Sequence, residues 1–409
     1  MTIDKSVLAW LDEQQAEMER VLPQWSEINS GSFNPEGVNT FGEAVQAYIT
    51  EHLDVNVERL SMPPVETVNG RGDIEHKPVG DLLRFRKTNS PSEPKIKLLL
   101  TGHLDTVFPI DSSFQTCTML EPGMLGGPGV ADMKGGILLM INALRAIERS
   151  SVADQVDWQI LLNPDEEIGS LSSAPHLASA AKEADIGLVY EPSMPSGDLA
   201  GARKGSGNFS LIINGKAAHA GREFHLGRNA ISALADAMID LEKINHGDHE
   251  ITLNLGKVQG GGPVNIVPDK AICHFNVRVN SQEEADIAQA HIDAVVASFT
   301  DREGYSAQLV GKFTRPAKPA TPQQNKLFEL ITDCGNQLGL SIAFKPTGGC
   351  CDGNNLAAAG LPNVDSLGVQ GGNIHSHEEY VLLESLATRA KLSAMIIMRL
   401  ATEREDWVL

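Results

Sequence analysis

The sequence predicts an α/β protein in which a smaller α+β domain is inserted into a larger domain. From about residue 76, continuous apolar strands alternate with helix-like segments, a pattern typical of a sheet covered by helices. Residues 205–317 instead follow the order β-α-β-β-α-β, which is the order of the ferredoxin-like unit. We therefore expect residues 1–204 and 318–409 to form one domain and residues 205–317 to form the other.

The individual elements follow from the spacing of apolar residues. Before residue 76, an amphipathic helix is expected at the N-terminus, over residues 1–20. The large domain has predicted strands at 80–86, 95–103, 157–164 and 184–192, and a helix buried on most sides at 133–150. The inserted domain has predicted strands at 208–214, 250–258, 270–279 and 306–313, and helices at 227–244 and 281–299. A proline-rich return linker at 315–323, a helix at 325–339, a glycine-rich loop, a strand near 362–369 and a C-terminal helix complete the chain.

Composition narrows the class of partner. Lys and Arg number 33 against 53 Asp and Glu, so the net charge of −20 argues against nucleic acid or an anionic membrane as a partner. The longest apolar run, 136–144, is far below the roughly 20 residues that span a bilayer. The N-terminus lacks the basic start of a secretory signal, and the five cysteines have no framework spacing. We therefore expect a cytoplasmic protein.

Two polar side chains end the apolar run at 95–103. His103 and Asp105 are two residues apart, so in a strand both leave the same face of the sheet. A carboxylate beside an imidazole fixes the tautomer of a metal-binding histidine. The alternative is a turn histidine that is satisfied by a nearby aspartate.

Further carboxylates and imidazoles follow other predicted strands. Asp132 comes after a glycine-rich turn and precedes a helix, where an ordinary N-cap is the alternative to a metal ligand. The run at 163–170, NPDEEIGS, contains Glu166 and Glu167, and Glu191 ends another apolar strand. His375 follows a glycine pair in a segment that is otherwise read as a surface loop. The carboxyl ends of strands are where α/β sheets place their sites.

Taken in order, these motifs resemble one known family. GHLDTV, GPGVADMKGG, DEEIGS, YEPS, GKAAHAG, NIVPD and HSHEEY occur in the order found in the two-zinc aminoacylase and carboxypeptidase family. That family includes glutamate carboxypeptidase, acetylornithine deacetylase and succinyl-diaminopimelate desuccinylase, and the glutamate carboxypeptidase-like branch is the most similar. The resemblance implies a zinc-peptidase-type α/β/α catalytic domain with an inserted ferredoxin-like lid or dimerisation domain.

The resemblance also implies two metal sites. His103, Asp132 and Glu191 would hold one zinc ion, and Asp132, Glu167 and His375 would hold the other. Nitrogen and oxygen ligands without a thiolate suit Zn²⁺, with Co²⁺ or Mn²⁺ as substitutes. Many relatives have a cis peptide after the bridging aspartate, which is expected here between Asp132 and Met133.

The catalytic roles fall to two further carboxylates. By resemblance, Glu166 is the general base that takes a proton from water, and Asp105 orients His103. In an extended segment adjacent side chains leave on opposite sides, so Glu166 and Glu167 are expected to face different targets.

The inserted domain and one loop would bind substrate. By resemblance, His219 reaches the active site of a partner subunit and stabilises an oxyanion, Asn265 serves the same region, and Arg278 clamps the substrate α-carboxylate. A hairpin histidine, an asparagine turn and a structural salt bridge are the respective alternatives. Gly349 belongs to TGGCCDGNN at 347–355, which in relatives lies near the side-chain pocket. A homodimer through residues 205–317 is expected.

Three functions remain in view from the sequence. The first is a metal-dependent hydrolase of an amide bond adjacent to a free amino-acid carboxylate, acting on a peptide or an N-acyl amino acid as a carboxypeptidase or deacylase. The second is a non-catalytic amino-acid or peptide-binding relative. The third is a thiol-redox protein that uses Cys350 and Cys351, which replace the small or hydroxyl residues of the family loop.

Overall fold

A computed structural model describes residues 4–403 of the chain. The α-helices in that part are α1 (Lys5–Glu13), α2 (Gln15–Ser26), α3 (Pro35–His52), α4 (Gly135–Glu148), α5 (Ala174–Ala181), α6 (Ala230–Glu242), α7 (Gln282–Ala297), α8 (Pro322–Gln337), α9 (Asp352–Ala358) and α10 (Ser385–Thr402). No helix among them combines the length and apolar character needed to cross a bilayer.

The strands occupy three main sheets and several short pairs. In chain order they are β1 (Val55–Ser61), β2 (Val65–Val68), β3 (Ile74–Lys77), β4 (Asp81–Lys87), β5 (Ile96–His103), β6 (Thr118–Glu121), β7 (Met124–Gly126), β8 (Val156–Asn163), β9 (Ile186–Val189), β10 (Leu199–Arg203), β11 (Gly205–Asn214), β12 (Ala218–His219), β13 (Thr252–Gly260), β14 (Ile266–Val267), β15 (Lys270–Val279), β16 (Ser306–Arg315), β17 (Phe344–Thr347), β18 (Asn363–Val364), β19 (Gly371–Gly372) and β20 (Tyr380–Leu382).

The largest sheet has the order β1-β4-β8-β5-β9-β18. Its centre is parallel, because β5 pairs in parallel with both β8 and β9, whereas β4 runs antiparallel to β8. Alternate residues of β5 enter different cores: Leu98 and Leu100 pack with α4 and α10, and Leu99 packs with α5 and α9. The sheet is therefore buried on both faces, which explains the continuous apolar strands and confirms the predicted α/β/α arrangement.

The N-terminal prediction was only partly right. The expected helix is divided at Gln14 into α1 and α2. The backbone N–H of Gln14 donates to the carbonyl of Leu11 and so ends α1. Both helices bury one face, with Leu11 and Met18 fully enclosed in the main core. The first three residues of the predicted helix lie outside the described residues.

The second large unit has the strand order β13-β15-β11-β16, with antiparallel neighbours throughout. With α6 and α7 in the connections, this is the ferredoxin-like order that the sequence predicted. Both helices cover one face of the sheet, over a core that includes Leu211, Phe275 and Val277. The chain leaves and re-enters the large unit at one place, where Arg203 and Lys318 exchange two backbone hydrogen bonds of 2.9 Å.

Candidate active site

The predicted ligands gather at the carboxyl edge of the large sheet. His103 is the last residue of β5, and Glu191 follows β9. Asp132 lies in the buried turn Val130–Lys134 before α4, and its peptide bond to Met133 is cis, as expected. His375 lies in the loop between β19 and β20 with a φ of 63°. Because β5, β8 and β9 are parallel neighbours, the segments that follow them meet.

Two groups of potential metal ligands share one carboxylate. His103, Asp132 and Glu191 form the first group, and Asp132, Glu167 and His375 form the second, with all ligand atoms of a group within 4.8 Å of one another. Asp132 divides its two oxygens between them. Its Oδ1 lies 3.1 Å from Nε2 of His103, and its Oδ2 lies 3.1 Å from Nε2 of His375. The structure thus brings together all five residues that the sequence proposed as ligands.

The crowding of buried carboxylates in this cluster is unfavourable unless positive charge is bound beside them. Burial, reinforced by repulsion from Asp132, raises the pKa of Glu167 to about 7, and burial raises the pKa of Glu191. Hydrogen bonds that His375 donates to the carboxylates of Asp132 and Glu167 raise its pKa to about 11. Oε1 of Glu167 is buried and has no hydrogen-bond partner among residues 4–403, although buried carboxylate oxygens are normally satisfied. Three carboxylates and two imidazoles are a donor set that suits divalent first-row metals.

Asp105 contacts His103, the residue that it was predicted to orient, through both its backbone and its side chain. Nδ1 of His103 lies 2.8 Å from the backbone carbonyl oxygen of Asp105 and 3.5 Å from its carboxylate Oδ1. The carboxylate also accepts hydrogen bonds from the backbone N–H groups of Glu166 at 3.0 Å and Glu167 at 3.1 Å, and from the Ser32 hydroxyl at 2.7 Å. Asp105 therefore contacts the imidazole of His103 and also fixes the backbone of the two glutamates.

The prediction that Glu166 and Glu167 lie in an extended segment was wrong. Residues Glu166–Ile168 form a 3-10 turn that ends at Gly169, whose φ of 98° favours glycine. The turn still separates the two side chains. Oε2 of Glu167 lies 3.2 Å from Nε2 of His375, whereas Oε1 of Glu166 accepts a hydrogen bond of 2.7 Å from Arg315.

Arg315 is the most important site residue that sequence reasoning missed. It is 2% exposed and lies at the end of β16, in the segment predicted to be a linker. Its guanidinium also pairs with Asp352 and donates to Asn355 at 2.7 Å. Burial raises the pKa of Glu166 well above its ordinary value, and the charge of Arg315 opposes that shift.

Two other buried carboxylates support the turns that carry the ligands. Glu379 accepts hydrogen bonds of 2.9–3.1 Å from three backbone N–H groups of the Asp132 turn, and burial raises its pKa to about 7. Asp165 accepts from the N–H groups of Ser172 at 2.7 Å and Ser173 at 3.3 Å, which closes the loop after Glu167. In the sequence, Asp165 and Glu379 are marked only by their place in the acidic motifs DEE and HEEY.

A cavity of about 330 Å³ opens beside the ligand groups. It is lined by Glu166, Glu191, Arg203, Gly349 and Cys350, among other residues. The backbone carbonyl of Gly349 accepts a hydrogen bond of 3.4 Å from Arg203. Gly349 therefore lies beside the site, where the sequence expected the side-chain pocket.

Arg278 reaches the rim of this cavity from β15. It donates to Oδ1 of Asn276 at 2.8 Å, to the carbonyl of Gly348 at 3.5 Å and to Sγ of Cys350 at 3.2 Å. Within the described residues it pairs with no carboxylate, so the structural salt bridge considered for it is not formed.

His219 and Asn265 lie apart from the ligand groups of their own chain. Both are exposed: His219 ends β12 and Asn265 directly precedes β14, and the backbone N–H of Ala220 donates to the carbonyl of Asn265 at 2.9 Å. Neither lines the 330 Å³ cavity in the described structure.

The thiols give no support to a redox site. All five cysteines are free. Cys351 is buried at the start of α9, where its sulfur accepts the N–H of Gly353 at 3.3 Å, so it serves as a helix cap. Burial raises its pKa well above the ordinary value, which disfavours the reactive thiolate.

An α/β/α sheet with two nitrogen and oxygen ligand groups and a buried carboxylate beside them defines the class of metal-dependent hydrolases. The chain belongs to peptidase family M20/M25/M40, whose sequence profile matches residues 99–399. The resemblance seen in the motifs is thereby confirmed, and the protein is a hydrolase that acts on amide bonds.

Known proteins are similar to this chain over most of its length. Carboxypeptidase G2 from Pseudomonas sp. (strain RS-16) is 30% identical over 392 residues, which are 95% of this chain and 90% of that protein. Succinyl-diaminopimelate desuccinylase from Alkalilimnicola ehrlichii is 28% identical over 323 residues, covering 73% of this chain and 82% of that protein. The fold of an M20 family metallo-carboxypeptidase from Sulfolobus solfataricus superimposes with a TM-score of 0.72 at 15% identity, covering 93% of this chain and 98% of that one.

Proposed function

We propose that the protein hydrolyses an amide bond adjacent to a free amino-acid carboxylate, as a carboxypeptidase or an N-acyl-amino-acid deacylase. One observation carries this proposal: in the part of the chain that the structure describes, Arg278 has no carboxylate partner, and it contacts the loop of Gly348 and Cys350 at the rim of the cavity. A guanidinium binds a carboxylate through two parallel hydrogen bonds, so an α-carboxylate is the partner that its chemistry favours. The name of the carboxypeptidase relative agrees with this substrate class.

The metal ions in the proposal are two Zn²⁺, with Co²⁺ or Mn²⁺ as substitutes. His103, Asp132 and Glu191 would hold one, and Asp132, Glu167 and His375 the other. When bound, such ions polarise a carbonyl group and lower the pKa of water to about 7. Glu379 and Asp105 keep the ligand turns in place through hydrogen bonds to backbone N–H groups.

Glu166 is proposed as the general base. Its carboxylate lies beside the ligand groups without belonging to either, and it lines the same cavity. It would take a proton from the attacking water and deliver it to the leaving amine. Because one oxygen is held by Arg315, the carboxylate keeps a fixed direction while the other oxygen remains for water.

The smaller unit is proposed to act as a lid and dimerisation domain over residues 205–317, with residues 1–204 and 318–409 as the catalytic domain. His219 and Asn265 are exposed away from the metal ligands of their own chain, which fits a role at the site of a partner subunit. A histidine positioned there would donate a hydrogen bond to the oxyanion of the tetrahedral intermediate. Residence in the cytoplasm belongs to the same proposal, supported by five unpaired cysteines.

Matched substrates test the proposal. Purified, zinc-loaded enzyme is incubated with dipeptides, N-acetyl amino acids and N-acyl glutamates, each with a free and an amidated α-carboxylate. We expect hydrolysis of free acids and a loss of about 10²-fold or more in kcat/KM on amidation, because the charge partner of Arg278 is removed. Equal hydrolysis of both forms would overturn the carboxylate requirement. In Arg278→Lys, the preference for the free acid should shrink.

A further inference from the structure

A larger cavity lies outside the reaction centre. Its volume is about 790 Å³, within the range of small-molecule sites. One wall is the face of the smaller sheet that α6 and α7 leave uncovered, and the other is formed by β2 and the loop after Glu167. It shares no lining residue with the 330 Å³ cavity in the described structure.

The uncovered sheet face is polar because apolar and polar residues alternate along its strands. Along β15, Cys273, Phe275 and Val277 enter the apolar core, and the residues between them point to the cavity. A row of polar residues crosses the four strands in register, with Asn276 opposite both Asn254 and Asn208, and Asn208 opposite Lys312. The next row pairs His274 with Lys257 on one side and Ser210 on the other.

The charge in this cavity is opposite to that of the whole protein. Lys257 and Lys312 line it, and neither has an ion pair or side-chain hydrogen bond among residues 4–403. Glu66 is the one carboxylate in the described lining. Two lysines against one carboxylate in the described lining make the cavity locally cationic, although the net charge of the chain is −20.

The opposite wall combines apolar residues with a few polar ones. Its apolar part includes Pro63, Pro64, Ile168 and Leu171, and Glu66 lies on the same wall. A ligand that satisfies both walls has an acidic group for the lysines and an apolar body. We propose that this cavity is a second binding site, separate from the reaction centre, for a small organic anion with an apolar or aryl body.

A ligand in this cavity would contact two residues, Asn276 and Ile168, that adjoin residues of the proposed catalytic site. Asn276 on the cavity wall accepts the hydrogen bond from Nε of Arg278, whose Nη1 contacts Cys350 in the substrate cavity. Ile168 belongs to the same 3-10 turn as Glu166. A ligand here therefore touches the supports of both the proposed carboxylate clamp and the proposed base.

The test uses 1-anilinonaphthalene-8-sulfonate, an aryl anion whose fluorescence rises in apolar surroundings, with the zinc-loaded protein. We expect saturable binding, weakened about tenfold in Lys257→Ala and in Lys312→Ala, because each removes a charged contact to the sulfonate. Lys182→Ala removes an exposed lysine outside the cavity and should leave binding unchanged. Glu66→Gln should tighten binding about threefold. Its circular dichroism must match that of the wild type, because partly unfolded protein also binds this dye.

Two results would overturn the second site. The first is equal affinity in wild type, Lys257→Ala and Lys312→Ala. The second is displacement of the probe by acetohydroxamate, a small metal chelator that would occupy the reaction centre. The lysine comparison requires no turnover, so its outcome does not depend on the proposed hydrolysis.

Discussion

Arg315 and Glu166 face each other across the junction of the two units, with the guanidinium Nη2 2.7 Å from the glutamate Oε1. Arg315 ends the last strand of the ferredoxin-like sheet, and Glu166 follows a central strand of the large sheet. The proposed base is thus oriented by a residue from the other unit. The other terminal nitrogen of the guanidinium, Nη1, pairs with Asp352. One buried cation therefore forms ion pairs with two carboxylates.

The first prediction concerns this cation. Arg315→Met should destabilise the protein by about 3–5 kcal/mol, because Glu166 and Asp352 would be left buried without a counter-charge. Arg315→Lys keeps the charge but lacks the fork that reaches both carboxylates. We expect it to fold, with a lowered kcat and a little-changed KM. Urea unfolding and steady-state kinetics measure the two effects, and a wild-type kcat in Arg315→Lys would contradict the positioning role.

The second prediction separates Glu166 from Glu167. Glu166→Gln should retain both metal ions and lose turnover by about 10²–10⁴-fold, the range for loss of a general base. Glu167→Ala should lose one of the two ions. Metal analysis after dialysis, together with hydrolysis rates, distinguishes the variants. Chelation of the wild type should abolish activity, and Zn²⁺, Co²⁺ or Mn²⁺ should restore it; reduced metal content in Glu166→Gln would argue that this residue is a ligand instead.

The third prediction concerns pH and the buried pair of cations around Asp365. Arg203 and Lys318 each donate to its carboxylate at 2.7 Å, and although burial acts in the opposite direction, their charges hold the pKa of Asp365 far below its ordinary value. A lowered folded-state pKa contributes stability above the unfolded value of about 3.9, and that contribution is lost as pH falls below it.

Asp365→Asn should therefore cost about 3–5 kcal/mol at pH 7, the usual effect of breaking a buried ion pair. The difference in unfolding free energy between Asp365→Asn and the wild type should narrow below about pH 4, because the carboxyl of the unfolded wild type binds a proton there. Urea unfolding at several pH values measures it, with Asp248→Asn as the exposed control. A difference that is constant down to pH 3 would show that the carboxylate charge is not its source.

The fourth prediction tests action across subunits. If His219 completes the site of a partner subunit, His219→Ala and Glu166→Gln should each be inactive alone but should complement each other after mixing and subunit exchange. Random pairing in a two-fold dimer gives about one quarter of wild-type activity, because half of the dimers are mixed and each has one intact site. Absence of recovery, with mixed dimers verified by mass, would place His219 in its own site or outside catalysis.

The sequence predicted what depends on local pattern. The strands, the ferredoxin-like order and the five proposed ligands could be read because each ligand follows an apolar run or a glycine-rich turn. Arg315 could not be found in this way, since its partner Glu166 is 149 residues away and the prolines after it suggested a linker. The 3-10 turn at Glu166 was also hidden, because it depends on N–H groups donated to Asp105 from a different strand end.

The chain passes between the two units at two adjacent residues, Arg203 and Lys318, and this arrangement affects the entropic cost of the insertion. Because Arg203 and Lys318 are hydrogen-bonded neighbours, the smaller unit is a loop inserted in the large unit, and the two ends of that loop lie side by side. The entropy of closing such a loop grows only with the logarithm of its length, about 0.6 kcal/mol for each doubling. The entropic cost of loop closure to the large unit therefore depends little on the length of the inserted segment. A short glycine bridge between Arg203 and Lys318 would close the same loop but would leave Glu166 and Asp352 without Arg315.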